Sequence, residues 1–279
     1  MESKLSSPPL AGTATYEAWR GAEQSERNES GEAATISLVI PTLNEIDGMR
    51  VIMPRINREW VDQILILDGG STDGTVEWSL DNGYEVHVQQ EPGIRQAYME
   101  ALPRLRGDIL ITFSPDGNSI PEKLPELIAK MREGYDMVIV SRYLGDARSE
   151  DDDWLTAFGN WLFTRTVNVL HGGRYTDAMV IYRAYRKALI SELELDQDRW
   201  YTTPEWLFRC RISWEPMLSA RAALRRLRVL EIPGDEPPRI GGTRKLRVFQ
   251  WGASYYFQFI RDALLWRRPG KQVEYQAAR

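Results

Sequence analysis

A single cysteine, Cys210, in 279 residues excludes an internal disulfide, as expected of a chain kept in a reducing cytoplasm. The plain reading of that thiol is a small buried hydrophobe rather than a nucleophile. The two histidines, His87 and His171, stand far apart without metal-ligand spacing, which argues against zinc. A metal here would be held by oxygen, and so would be Mg²⁺ or Mn²⁺. No apolar run approaches the roughly 20 residues that span a bilayer, and the first residues lack the basic-then-apolar pattern of a leader. The expectation is a cytoplasmic protein, at most peripheral at the inner membrane face. Basic excess is missing as well. Thirty-five Lys and Arg against 40 Asp and Glu leave a net charge of -5, so no nucleic acid is expected as a partner.

What is present describes an ordinary globular chain with a sizeable core, 43% hydrophobic and 27% charged. Residues 1–34 are rich in Ser, Glu, Gly and Ala and read as a flexible extension. Short apolar runs then follow: "ISLVI" (36–40), "QILIL" (63–67), "YEVHV" (84–88), "DILITF" (108–113) and "DMVIV" (136–140). Segments of helical period lie between them, such as "IRQAYMEALPRL" and "PEKLPELIAKM". Strands alternating with helices at this spacing predict an α/β fold, a parallel sheet with helices on both faces. Ligands of such sheets bind beyond the carboxyl ends of the strands. After residue 141 the alternation stops. The spacing predicts an aromatic-rich helix over 153–170, a helix over 215–224, a strand over 227–233 and a C-terminal helix. A nucleotide half (35–142) and an acceptor half (143–279) are expected to form one body.

Three loops at strand ends carry polar groups suited to a ligand. "IPTLNE" places Pro41, Thr42 and Glu45 after the first strand, where a simple strand-to-helix turn would also account for them. "LDGGSTDGT" offers Asp68 as a carboxylate for a base N–H, with Ser71 or Asp73 as a helix cap. "LITFSPDGNSIPE" offers Asp116 and the amide oxygen of Asn118 to one hard cation bridging a diphosphate. Taken alone, it reads equally as an Asp/Gly/Asn turn before a helix. No GxGxxG follows the first strand, which excludes a dinucleotide oxidoreductase, and no "GxGxR" loop suggests a pyrophosphorylase.

Together the loops resemble the family-2 glycosyltransferases of GT-A fold, with their (I/V)P(T/A)xNE opening, "DDGSTDGT"-like second loop and "DxD" motif. The resemblance continues through "DMVIVSRYLG" and "YTDAMVIYRAYRK" to "EIPGDEPPRIGGTRKL". Among subgroups the chain is most similar to the dolichol- or polyprenyl-phosphate sugar transferases, whose "RxxGxSK" pattern appears as Arg239, Gly242 and Lys245. This resemblance implies a Rossmann-like, mostly parallel sheet with a C-terminal helical acceptor region. It implies an inverting, metal-dependent transferase using a nucleoside-diphosphate sugar. Pro41, Thr42, Glu45 and Arg95 would lie near the nucleoside, with Asp68 on the base. Asp116 and Asn118 would hold the metal, and Arg239 and Lys245 would grip phosphate. Three departures stand out: Ser114 replaces the first Asp of "DxD", "IYR" (181–183) replaces "GFR", and an acidic run from Glu150 to Asp153 replaces an expected Arg.

The acceptor then decides the chemistry. A lipid phosphate needs no strong base, whereas a sugar or small-molecule hydroxyl does. Glu215 and Asp177 are the candidate bases. Each also has a structural reading, Glu215 as a helix-start carboxylate and Asp177 as the partner of an arginine. The aromatic C-terminal helix, with Tyr255, Tyr256, Phe259, Leu264 and Trp266, suits either a membrane surface or packing on the core or in a homo-oligomer. A rival from another class is a nucleotide-sugar-binding protein with a decayed site, for which Ser114 speaks.

Overall fold

The computed structural model describes residues 33–241 and 248–266. Lys245, Gly242, Arg267 and Arg268, and the extension up to residue 32, lie outside them. Strands β1 (Ile36–Thr42), β2 (Gln63–Asp68), β3 (Glu85–Val88), β4 (Ile109–Thr112), β5 (Met137–Ser141), β6 (Arg183–Arg186) and β7 (Val229–Pro233) form one sheet in the order β3-β2-β1-β4-β6-β5-β7. All pairings are parallel except those of β6, which runs antiparallel between β4 and β5. The five predicted strands and the later one are present; β6 was not expected. Because β6 and β7 complete the sheet begun by the first half, the two halves share one framework.

Period-two alternation builds both faces of the core. In β1, Ile36, Leu38 and Ile40 turn to one side and Val39 to the other. The first side is covered by helices α1 (Ile46–Ile52), α2 (Thr75–Asp81) and α4 (Leu124–Arg132), through Met49, Trp78, Leu127 and Ile128. The second receives Tyr98 from α3 (Ile94–Ala101), Val167 from α5 (Trp154–His171), Met217 from α8 (Glu215–Leu224) and Phe259 from α9 (Val248–Leu265). Short helices α6 (Leu189–Glu192) and α7 (Thr202–Phe208) lie between. Each fully buried aliphatic side chain contributes about 1.5–3 kcal/mol, so strand spacing and helix period favour the same packing.

The two aromatic helices differ in where their rings lie. Tyr255 and Phe259 of α9 and Trp266 just after it are buried, while Leu264 is exposed. That supports core packing for these aromatics. On α5 the aromatics Trp154, Phe158 and Trp161 face outward. Among the described residues no helix is long and apolar enough to cross a membrane.

Two glycines permit close approaches beside the loop that follows β4. A Cβ on Gly48 would stand 2.4 Å from the Pro115 carbonyl oxygen. Gly117 has φ +94, and its Cβ would lie 2.7 Å from Ile240. Both fix α1 and the segment after β7 against Asp116.

Candidate active site

Strand register joins the first two loops. Thr42 and Asp68 are partners across β1 and β2, and Thr42 Oγ1 donates to Asp68 Oδ2 at 2.9 Å. Asp68 also accepts from the backbone N–H groups of Gly70 (2.8 Å) and Ser71 (2.7 Å) and from Ser71 Oγ (2.6 Å). A carboxylate has about four acceptor positions, so these bonds engage it fully, and the side chain is entirely buried. Asp68, expected on a base, therefore shapes its own turn in this structure. The partly exposed residue beside it is Gly69, which stands where the family pattern has its second Asp. Gly74, not Asp73, is the N-cap of α2; Asp73 stands one residue earlier, where Oδ1 accepts from Thr75 N–H and Oγ1 and Oδ2 from Ile46 N–H. Pro41 sits partly exposed near the end of β1, opposite Leu67.

The third loop meets the first through Arg239. Its Nη2 lies 2.7 Å from Asp116 Oδ2 and its Nη1 3.6 Å from Glu45 Oε1. Both carboxylates are nearly buried, whereas Arg239 keeps 26% of its side chain exposed. Asp116 Oδ1 accepts from Asn118 N–H (3.1 Å), and the Asp116 carbonyl accepts from Ile240 N–H (2.6 Å). Asn118 Nδ2 donates to the Pro237 carbonyl at 3.0 Å. Its Oδ1 is buried and has no hydrogen-bond partner among the described residues. An orphaned amide oxygen two residues from a carboxylate is a donor set that a hard cation fits. Four predicted residues, Glu45, Asp116, Asn118 and Arg239, thus share one cluster.

Arg95 does not join it. Its side chain is 3% exposed, with Nη1 2.8 Å from Asp198 and Nη2 3.9 Å from Glu205. The guanidinium lies 4.1 Å from the Tyr201 ring centre. Expected near the nucleotide, Arg95 instead ties α3 to the segment around α7 and has no open face for a diphosphate.

The two candidate bases occupy different surroundings. Glu215 opens α8 inside the core and accepts from Tyr98 Oη at 2.9 Å. Burial holds its carboxyl above the ordinary range despite Arg183 nearby. Arg183, the last residue of "IYR", is wholly buried and donates to the carbonyls of Val180 (2.9 Å), Ala178 (3.2 Å) and Glu215 (3.2 Å) and to Ser219 Oγ (2.8 Å). Asp177 is fully buried and takes a two-pronged grip from Arg142, Nε to Oδ2 at 2.6 Å and Nη2 to Oδ1 at 3.1 Å. Burial pushes the Asp177 carboxyl up, but the Arg142 charge and hydrogen bonds outweigh it and leave it lowered.

Arg142 is the hub of a cluster that the residue pattern did not single out. Besides Asp177 it meets Glu236 at 3.2 Å and Asp152 at 3.7 Å. Tyr143 donates to Asp152, and Ser149 to Glu236. The acidic run is therefore partly turned inward; its last member, Asp153, caps α5 through Thr156 N–H at 2.8 Å. Burial raises the Glu236 carboxyl, and Arg142 only partly counters it. Glu236 precedes Pro237, the acceptor for Asn118, so the strip from Glu236 to Arg239 links the two clusters. The signal for Arg142 was its place in "SRY" at the end of β5.

The model for glycosyl transferase family 2 matches residues 37–194. The chain belongs to that family. Its matched part includes all three loops and Asp177, but ends before Glu215 and the "EIPGDEPPRIGG" strip. Glycosyltransferase AglJ of Haloferax volcanii is 28% identical over 176 residues, 63% of this chain and 58% of AglJ. The undecaprenyl-phosphate 4-deoxy-4-formamido-L-arabinose transferase of Aeromonas hydrophila is 27% identical over 177 residues, 59% of this chain and 52% of that protein. The chain thus matches between half and three fifths of these curated relatives. Glucosyl-3-phosphoglycerate synthase from Mycobacterium tuberculosis, solved with Mn²⁺, UDP-glucose and phosphoglyceric acid, superposes with TM-score 0.59 at 20% identity, over 91% of this chain and 85% of that one. A second structure of it, with Mn²⁺, UDP and glucosyl-3-phosphoglycerate, gives TM-score 0.57 at 20% identity, over 92% and 86%. The family-2 chain has the GT-A fold, an α/β architecture around a mostly parallel sheet.

Proposed function

We propose that this family-2 chain moves a sugar from a nucleoside-diphosphate donor to an acceptor oxygen, with inversion at the anomeric carbon and a divalent cation, Mg²⁺ or Mn²⁺, at Asp116 and Asn118. The observation that carries the reading is Arg239, one guanidinium between the carboxylates that follow β1 and β4. Those carboxylates lie beyond the carboxyl ends of parallel strands, where α/β sheets bind nucleotides. Pro41, Thr42 and Glu45 form the nucleoside side and Asp116 and Asn118 the phosphate side. When bound, the cation neutralises charge that grows on the departing diphosphate. Arg239 adds a second positive charge there, directed at the leaving group rather than at the sugar. The Mn²⁺ and UDP-glucose bound by the mycobacterial enzyme agree with this class of donor and metal, and the name of the Aeromonas relative gives a polyprenyl phosphate as that protein's partner.

As acceptor, a polyprenyl phosphate, a cell-surface glycan precursor and a sugar or natural-product hydroxyl all suit the family. One observation favours a hydroxyl. Arg142 is enclosed by Asp152, Asp177 and Glu236, so an anionic acceptor would approach surplus negative charge. A hydroxyl needs a base, and Glu236 is the carboxylate tied through Pro237 to the metal side, with its proton affinity raised by burial. Membrane contact through the C-terminal aromatics is not part of this reading, because Tyr255, Phe259 and Trp266 are buried. Asp116→Ala tests the proposal against a decayed binding protein. Metal-stimulated release of nucleoside diphosphate from a sugar nucleotide should fall by at least a hundredfold; an unchanged rate would exclude Asp116 from metal binding.

A further inference from the structure

A cleft of about 320 Å³ lies between α5 and the turns after β5 and before β6, apart from the Asp116 cluster. Its lining includes Tyr143, Asn160, Trp161, Arg165, Tyr175 and Thr176. Its size is near the small end of ligand pockets, which span about 300–1,000 Å³; it suits one sugar ring better than a nucleotide. Asn160 is 6% exposed, yet neither its Oδ1 nor its Nδ2 has a hydrogen-bond partner among the described residues. A buried amide left unpaired at both ends is costly, and its position on the cleft wall gives a reason for it to be there.

Apart from Arg165 at the edge, the other polar groups of the cleft are committed. Tyr175 Oη donates to the Ser219 carbonyl at 2.9 Å, Tyr143 to Asp152, and Thr176 pairs with Ser141 (2.6 Å) and Glu231 (3.0 Å). The aromatic residues therefore offer ring surface, while Asn160 offers one donor and one acceptor. A hydroxyl both donates and accepts and can satisfy both ends of an amide; a phosphate dianion can only accept and would leave Oδ1 unpaired. Charge leads the same way. Behind Tyr143 and Thr176 stand Asp152, Asp177, Glu231 and Glu236 with Arg142 among them, and the one cation on the cleft lining, Arg165, is exposed at its edge.

We infer that this cleft is a subsite for an uncharged pyranose, with Asn160 bonding its hydroxyls and Trp161 and Tyr143 packing on its ring. The inference rests on the transferase reading only in making that sugar part of the acceptor. The test is saturation-transfer NMR of the full chain with methyl glucoside, methyl galactoside, methyl mannoside and N-acetylglucosamine, and with inorganic phosphate as competitor. At least one pyranoside should bind, and Asn160→Leu and Trp161→Ala should each weaken it by about tenfold. Trp161 is 57% exposed, so its removal leaves the fold intact. Asn160→Leu removes two unpaired polar atoms and should melt no lower than the parent. Absence of pyranoside binding, unchanged binding in both variants, or displacement of the sugar by phosphate would overturn the assignment. Nucleotide titration of the same samples separates the claims. Sugar binding at Asn160 without any nucleotide binding would end the donor reading and leave the subsite standing.

Discussion

Replacing Arg239 by methionine should move two affinities in opposite directions. Without nucleotide, a cation reaching Asp116 must displace a guanidinium whose Nη2 is 2.7 Å from Oδ2. A hydrogen bond to a charged group contributes about 1.5–3 kcal/mol. Arg239 is 26% exposed, and solvent screening brings the figure to the low end, about 1.5 kcal/mol. That corresponds to roughly tenfold in affinity. Mn²⁺ alone should therefore bind Arg239→Met about tenfold more tightly, since the competing charge is gone while the methionine retains most of the stem volume. With nucleoside diphosphate present the sign reverses. The guanidinium is then a phosphate ligand, and its loss should weaken the ternary complex by about tenfold. Calorimetry with Mn²⁺ alone and with Mn²⁺ plus nucleotide reads both. Weakening of both would make Arg239 a structural brace, and no change in either would remove it from the site.

Glu215→Gln and Glu236→Gln together assign the base: with a hydroxyl acceptor the second should lose turnover by at least a hundredfold at unchanged nucleotide affinity, and the first by less than tenfold. A large loss in Glu215→Gln alone would reverse the assignment. Glu215 also carries a pH signature, because burial raises its carboxyl above the ordinary 4.5. The unfolded chain releases that proton first, so wild-type stability from this group is present below 4.5 and declines as pH rises. Urea titrations should show Glu215→Gln gaining on wild type toward neutral pH and losing the gain in acid. Arg142→Met should cost about 3–5 kcal/mol, as when one partner of a buried pair is removed. Asp177 is held below its ordinary 3.8 only by Arg142, against burial, so in the variant burial favours its protonation and the deficit should be full near neutral pH and shrink as acid protonates Asp177; a pH-independent deficit would show that Asp177 is not its source.

The parallel part of the fold was legible because its strands are apolar and separated by helices of regular period. β6 was not: "RAYR" is four residues long and charged at both ends. It pairs because the carbonyls of Val180, Ala178 and Glu215 absorb the buried Arg183 guanidinium, an arrangement invisible in a linear pattern. Within the site, the spacing of Asp116 and Asn118 and the loop position of Glu45 led to one cluster, and Arg239 joined it from 119 residues beyond Ile120 through the close passage of Ile240 over Gly117. Asp68 and Arg95 show the limit of residue type as a guide. Both have chemistry suited to a nucleotide, yet the turn N–H groups occupy one carboxylate, and Asp198, Glu205 and Tyr201 enclose the other charge. The inward turn of the acidic run was not legible either, because a sequence does not show that Arg142 lies behind Asp152. Asn160 gave no signal at all: an asparagine within an aromatic helix stands out only once its partners are counted.

The most direct test of the central claim is calorimetric titration of the wild-type chain with UDP, GDP, dTDP and CDP, each with and without Mn²⁺. The account predicts that one nucleotide binds only when metal is present and that Asp116→Ala loses that binding. Equal binding of a nucleotide with and without metal, or binding of none of the four, would contradict it.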